Sequence, residues 1–126
     1  MNSCRPLVLV VDDEPDMCWV LQNLLTVGGF DFRVAQTGEA ALALLESIRF
    51  GIVLLDVKLT DTDGLDLARR IKSMDSSVQI IMISGYYYKD DVNIQIAVEE
   101  GYVSGFISKP FLNDDVIEML RSVEAK

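Results

Sequence analysis

Four apolar runs in this chain each end on a residue able to handle a phosphoryl group or a metal ion. Asp12-Asp13-Glu14 follows Leu7 to Val11, Asp56 follows Ile52 to Leu55, Ser84 follows Ile80 to Ile83, and Lys109 follows Phe106 to Ser108. The carboxylates of Asp12, Asp13 and Asp56, the Ser84 hydroxyl and the Lys109 ammonium are the inventory for a divalent cation and a phosphoryl group. Two carboxylates about 4 Å apart repel by roughly 4 kcal/mol at an effective dielectric near 20, so a crowded trio calls for a cation. Hard oxygen ligands with open positions suit Mg²⁺, which keeps waters and binds phosphate beside carboxylates. A carboxylate is a poor nucleophile toward an anionic phosphoryl group until that charge is screened, and Mg²⁺ with Lys109 would screen it. The product gains about −1.5 to −2 of charge and three acceptor oxygens, which Ser84 is placed to meet.

Each residue also has a plainer reading. Asp12 and Asp13 suit caps for a first helix, and Glu14 suits a helix-start charge. Asp56 and Ser84-Gly85 suit ordinary turns after strands. Phe106 suits core packing. Lys109 is harder to dismiss, because a lysine ending a buried strand needs an anionic partner.

The residues that could do this chemistry need strand ends to hold them. The chain reads as strand then helix, five times over. Leu7 to Val11, Gly51 to Leu55 and Val78 to Ile83 are continuous apolar runs, as expected of strands buried on both faces. Phe30 to Ala35 alternates and reads as an edge strand, and Gly105 to Ser108 is the fifth strand. Pro15 suits a first helical turn, and Met17, Val20, Leu21, Leu24 and Leu25 share one helical face. Gly28-Gly29 ends that helix. Thr37 can cap the second helix, whose stripe is Ala40, Ala41, Leu44 and Leu45. The turn Asp63-Gly64 precedes a third helix with Leu65, Leu67, Ala68 and Ile71 inward and Arg69, Arg70 and Lys72 outward. Asn113 or Asp114 caps a last helix carrying Val116, Ile117, Leu120 and Val123. The fourth helix reads badly, since Val92, Ile94, Ile96 and Val98 alternate with period two; a short or easily displaced helix is expected there. Five alternations with parallel-type strands predict a doubly wound three-layer α/β sandwich. In such a sheet ligands bind at the carboxyl ends of the strands, where the strand order reverses. All four polar strand ends then face one site.

Length and composition bound the rest. The chain has 126 residues, enough for a single domain (1–126, core about 6–124). The formal net charge of −9 argues against direct nucleic-acid binding, which needs clustered Lys and Arg. With no histidine and two cysteines, Cys4 and Cys18, zinc and His-dependent nucleophilic catalysis are disfavoured. Cys18 is expected as a small buried hydrophobe and Trp19 as a partly buried helix residue. Tyr86-Tyr87-Tyr88 reads as a packed loop or a docking patch. No run is long and apolar enough for a membrane span, and the N-terminus lacks a signal-peptide core, so a cytoplasmic location is expected.

Asp12-Asp13 after the first strand, Asp56 after the third, Ser84-Gly85 after the fourth and Lys109-Pro110-Phe111 after the fifth together resemble the receiver domain of two-component response regulators. The resemblance runs from Leu7 to about Val123. It implies a flavodoxin-like sheet in the order 2-1-3-4-5 with helices on both faces. Asp56 would be the phosphoacceptor for a sensor histidine kinase. Asp13, Asp56 and the backbone carbonyl of Lys58 would bind Mg²⁺ directly, and Asp12 through a metal-bound water. Ser84 would hydrogen-bond the phosphoryl oxygens and Lys109 would pair with them. Phe106 matches the family's aromatic switch, Lys58 and Tyr86 its water-gating positions, and Lys109-Pro110 its cis peptide. The resemblance implies an output through the fourth helix, fifth strand and fifth helix to an effector domain or partner protein. It implies no turnover of a metabolite beyond self-catalysed phosphotransfer and autodephosphorylation. A dimer on phosphorylation is left open.

The chain departs from the family pattern in three places. The interval from Ser84 to Lys109 is longer than usual. Thr60 replaces a proline, so a more mobile Leu59 to Asp63 loop is expected. Phe106 lacks the hydroxyl of a tyrosine switch. Three rival readings fit less well. An aspartyl phosphohydrolase would want a second acid at Lys58. A flavin carrier would want a Ser/Thr/Gly-rich loop where Asp12-Asp13-Glu14-Pro15 stands. A docking-only module would not need the whole site set.

Overall fold

Strands β1 (Val8–Val11), β2 (Phe32–Ala35), β3 (Ile52–Asp56), β4 (Gln79–Ser84) and β5 (Gly105–Ser108) form one parallel sheet in the order β2-β1-β3-β4-β5. The computed structural model describes residues 6–57, 59, 61–84, 96, 98–108 and 113–124. Helices α1 (Pro15–Gly28), α2 (Gly38–Ser47), α3 (Gly64–Met74) and a C-terminal helix (Asn113–Glu124) connect and flank the strands. Of the three inner strands, β1 and β3 are buried along their whole length. That follows from apolar side chains on both pleats, which only a sheet covered on both faces can bury.

Alternate residues of each strand feed two separate cores. Val8, Val10, Ile52, Leu54, Ile81, Ile83 and Ile107 point to one face. Cys18, Leu21, Leu24 and Leu25 of α1 cover them there, with Val116, Leu120 and Val123 of the C-terminal helix. Leu9, Val11, Val53, Leu55, Ile80 and Met82 point to the other, under Ala41 of α2 and Leu67, Ala68 and Ile71 of α3. Each fully buried aliphatic side chain contributes about 1.5–3 kcal/mol relative to exposure.

Local signals set the boundaries. Pro15 opens α1, and Gly29 closes it in the left-handed region at φ 81°. The Thr37 hydroxyl accepts the Ala40 N–H at 3.0 Å, and the Asp63 carboxylate accepts the Leu65 N–H at 2.7 Å. Both are N-caps that satisfy otherwise orphaned amides.

Several expectations need correction. Trp19 is 67% exposed rather than partly buried, because Cys18 takes the inward position beside it. Ala40 is exposed, and the buried side of α2 runs through Gly38 and Ala41, with Leu42 and the expected Leu44 and Leu45 against the core. Lys72 does not point outward: its ammonium reaches back to the carbonyls of Ser76 and Val78. The C-terminal helix already includes Asn113, and Asp114 lies in its first turn, so neither is the residue before the helix. Strand β3 extends one residue further than expected, so Asp56 is its last residue. Of the doubtful fourth helix, Ile96, Val98 and Glu99 are helical, and the Glu100 N–H donates to the Ile96 carbonyl at 2.8 Å. The rest of that helix, the Tyr86 to Tyr88 run, Thr60 and the Lys109-Pro110 bond lie outside the described residues.

Candidate functional site

Strand register aligns the acidic tips. Val11 is opposite Leu55 in the β1–β3 ladder, so Asp12 and Asp13 leave β1 beside Asp56 at the end of β3. The carboxylate oxygens of Asp12, Asp13 and Asp56 lie within 4.8 Å of one another. Asp12 and Asp56 are only 2% and 7% exposed, and Asp13 is half-buried. Among the described residues they are the only buried charged side chains. Burying like charges together is costly unless a cation or hydrogen bonds compensate.

The local backbone explains why the trio holds its shape. The Asp12 N–H donates to the Ala35 carbonyl of β2 at 3.1 Å, and Asp12 Oδ1 accepts the Glu14 N–H at 2.9 Å. The Cys18 thiol donates to the Asp12 carbonyl at 3.2 Å. Cys18 is the small buried residue that the pattern suggested, with this added polar contact. On the other strand the Val57 N–H donates to Ile83 at 3.2 Å, and the Gly64 N–H to Val57 at 2.8 Å. A Cβ on Gly64 would sit 2.5 Å from the Asp56 carbonyl oxygen, so only glycine lets α3 start this close.

The remaining site residues follow from strand order. Asp56 pairs with Ile83, one residue before Ser84, and Ser84 pairs with Ser108, one residue before Lys109. Strand β3 therefore has the acidic tip of β1 on one side and the Ser84 end of β4 on the other. Phe106 is half-buried against the core under α2 and α3, where Leu59 and Tyr102 also pack. Arg69 of α3 stacks over the Tyr102 ring at 5.5 Å from its centroid. Lys58, Tyr86, Lys109 and the side chain of Ser84 lie outside what is described. Glu14 stands at the N-cap of α1, with no cap bond from its side chain.

One contact was not legible in the sequence. Asp61 reaches across to α2, where its carboxylate accepts the Gly38 N–H at 2.9 Å and the Glu39 N–H at 3.1 Å. These two amides hold its carboxyl below the ordinary carboxylate value. The partners are 23 and 22 residues away in sequence, so no local spacing marks them.

Three hard carboxylate oxygens at one partly open strand end are consistent with a Mg²⁺ site. The fold and this cluster together define a doubly wound domain with an acidic cluster at the carboxyl ends of its strands, where such sheets carry their sites. The sequence model of the response regulator receiver domain matches residues 8–121, and the chain belongs to that family, the receiver domain of two-component response regulators.

The relatives agree. The chain is 32% identical over 122 residues to the DNA-binding response regulator MtrA of Mycolicibacterium smegmatis, covering 97% of this chain and 52% of MtrA. It thus spans about half of that relative's length. The receiver domain of NtrX from Brucella abortus superposes with a TM-score of 0.87 at 30% identity, covering 94% of this chain and 98% of that one. The response regulator TrrA of Thermotoga maritima, solved in complex with Mg(2+)-BeF, gives a TM-score of 0.82 at 27% identity. That match covers 93% of this chain and 97% of TrrA.

Proposed function

We propose that this domain is a phosphorylation switch in which Asp56 takes a phosphoryl group from the phosphohistidine of a sensor histidine kinase in a Mg²⁺-dependent reaction. The convergence of Asp12, Asp13 and Asp56 within 4.8 Å carries this reading. Mg²⁺ would be held by the carboxylates of Asp13 and Asp56 and the Lys58 carbonyl, with Asp12 acting through a bound water; it would neutralise the phosphoryl oxygens. The complex of TrrA with Mg(2+)-BeF supports that assignment. An Asp56 oxygen attacks phosphorus, the P–O bond forms, and the P–N bond to the donor histidine breaks. Strand order favours Asp56 over its neighbours as nucleophile, since it alone has acids on one flank and the Ser84 and Lys109 strand ends on the other.

Lys109 pairs with the transferred group and Ser84 donates to it. Phe106 then shifts between its half-buried position and a deeper one, repacking the face formed by the fourth helix region, β5 and the C-terminal helix. Lys58 and Tyr86 shield the acyl phosphate from water, which favours a long-lived phosphorylated state. The output passes to an effector domain or partner protein, of which the DNA-binding regulator MtrA is one type. The domain catalyses its own phosphorylation and dephosphorylation and turns over no metabolite. The reading assigns it to the cytoplasm. Among the described residues no helix is long and apolar enough to cross a membrane.

Incubation with Mg²⁺ and acetyl phosphate, followed by intact-mass measurement, tests this. A gain of one phosphoryl group, lost with chelator and in Asp56→Asn, is the expected result. Unchanged labelling of Asp56→Asn would overturn it.

A further inference from the structure

The segment between β3 and α3, residues 57–63, carries no proline to fix its backbone. It is anchored at two points instead. At its base Gly64 docks on Val57. Further along, Asp61 binds two amides of the first turn of α2, and Thr62 presses on Gly38. A Cβ at Gly38 would lie 2.5 Å from the Thr62 methyl carbon, so Gly38 makes room for the contact. The accounting at the start of α2 is complete. Asp61 takes the Gly38 and Glu39 amides, Thr37 Oγ1 takes that of Ala40, and the Thr37 carbonyl takes that of Ala41. A helix N-terminus favours such an anion through its free N–H groups and its dipole. Lys58, whose carbonyl the metal reading uses, lies in sequence between the Val57 and Asp61 anchors.

We propose that Asp61 is a positioning residue: by docking its carboxylate on α2 it holds the 57–63 segment in place and thereby sets the Mg²⁺ affinity of the Asp12, Asp13 and Asp56 site. This rests on the metal reading above. Asp61 touches neither metal nor phosphoryl group in this role. It fixes the distance between α2 and the chain that follows Asp56.

Thr37 provides the control, because its hydroxyl caps the same helix turn through the Ala40 amide, and among the described residues no hydrogen bond joins it to the 57–63 segment. Mg²⁺ dissociation constants from calorimetry and melting temperatures without metal would be measured for the unchanged protein, Asp61→Ala, Asp61→Asn and Thr37→Ala. Asp61→Ala is expected to weaken Mg²⁺ binding severalfold, short of the roughly 10- to 100-fold lost with a group bonded straight to a metal ligand. Asp61→Asn, which keeps one acceptor oxygen, is expected to recover part of that loss. Thr37→Ala is expected to lower the melting temperature and leave Mg²⁺ affinity unchanged. Equal Mg²⁺ affinity in Asp61→Ala and the unchanged protein would overturn the proposal alone, as would equal losses in Asp61→Ala and Thr37→Ala. Should Asp61→Ala fail to fold, Asp61→Asn against Thr37→Ala decides by the same criteria. An unchanged protein that binds no Mg²⁺ would overturn the metal reading and this proposal with it.

Discussion

The two ends of the sheet are built on opposite principles. At the carboxyl ends of β1 and β3, buried charge is concentrated in Asp12 and Asp56, with Asp13 beside them. At the amino ends the buried positions are apolar, with Phe30, Phe50, Val78 and Val103 closing the core. The charges at that end stay near the rim, as in the Arg49–Asp75 pair at 3.7 Å, or are spent on backbone, as in Lys72 on the Val78 carbonyl. One end therefore buries only apolar side chains and keeps its charges outside the core, whereas the other buries like charges close together. Stability at the two ends should respond to different variables.

The largest effect should come from the layer that joins them. Leu54→Ala, in the middle of β3, should cost about 2–5 kcal/mol in urea unfolding, as large-to-small core changes do. Its Mg²⁺-induced stabilisation should be unaltered. Next, Mg²⁺ at about a hundred times its dissociation constant should stabilise the unchanged protein by roughly 2.7 kcal/mol. Asp56→Asn should lose most of that gain, and a melting curve insensitive to Mg²⁺ would erase the distinction between the ends. Without metal, Asp13→Asn should raise stability by on the order of 1 kcal/mol by relieving repulsion at the one half-buried member of the cluster. A drop would show that the carboxylates are balanced in some other way. Arg49→Ala, at the opposite end, should change stability by less than about 1 kcal/mol and leave the metal response alone.

Acid sharpens the comparison further. The Asp61 carboxyl is lowered by the Gly38 and Glu39 amides, and the Asp75 carboxyl by the Ser77 hydroxyl and amide and by Arg49. A carboxyl with a lowered folded pKa contributes stability above its unfolded value of about 4, and loses that contribution as pH falls through the folded value. Melting temperature should therefore fall below about pH 4, and Asp61→Asn should flatten part of that fall.

Much of this was written in the chain. The unbroken runs at β1, β3 and β4 fixed which strands are central, because only a doubly covered strand tolerates apolar residues on both pleats. The polar residue ending each run then located the acidic trio. Signals failed where a contact is long-range or where two faces compete. Asp61 meets α2 across more than twenty residues, so its role needs the fold first. Trp19 faces solvent because Cys18, a weaker hydrophobe by size, fills the inward position. Lys72 departs from the outer face of α3 because a long side chain can turn back and satisfy backbone carbonyls. The α2 stripe holds at Ala41, Leu44 and Leu45 and fails only at Ala40, because alanines and leucines are nearly continuous there, which blurs helical phase.

Gly64 sets a geometric limit on how this domain can vary. With its Cβ position 2.5 Å from the Asp56 oxygen and 2.6 Å from that of Val57, even one methyl group there would wedge α3 away from the strand that ends in Asp56. Because that peptide and the acidic side chain share a residue, the wedge would tilt the carboxylate as well as the helix. Tolerance to substitution should thus be lowest at a position that carries no functional group at all.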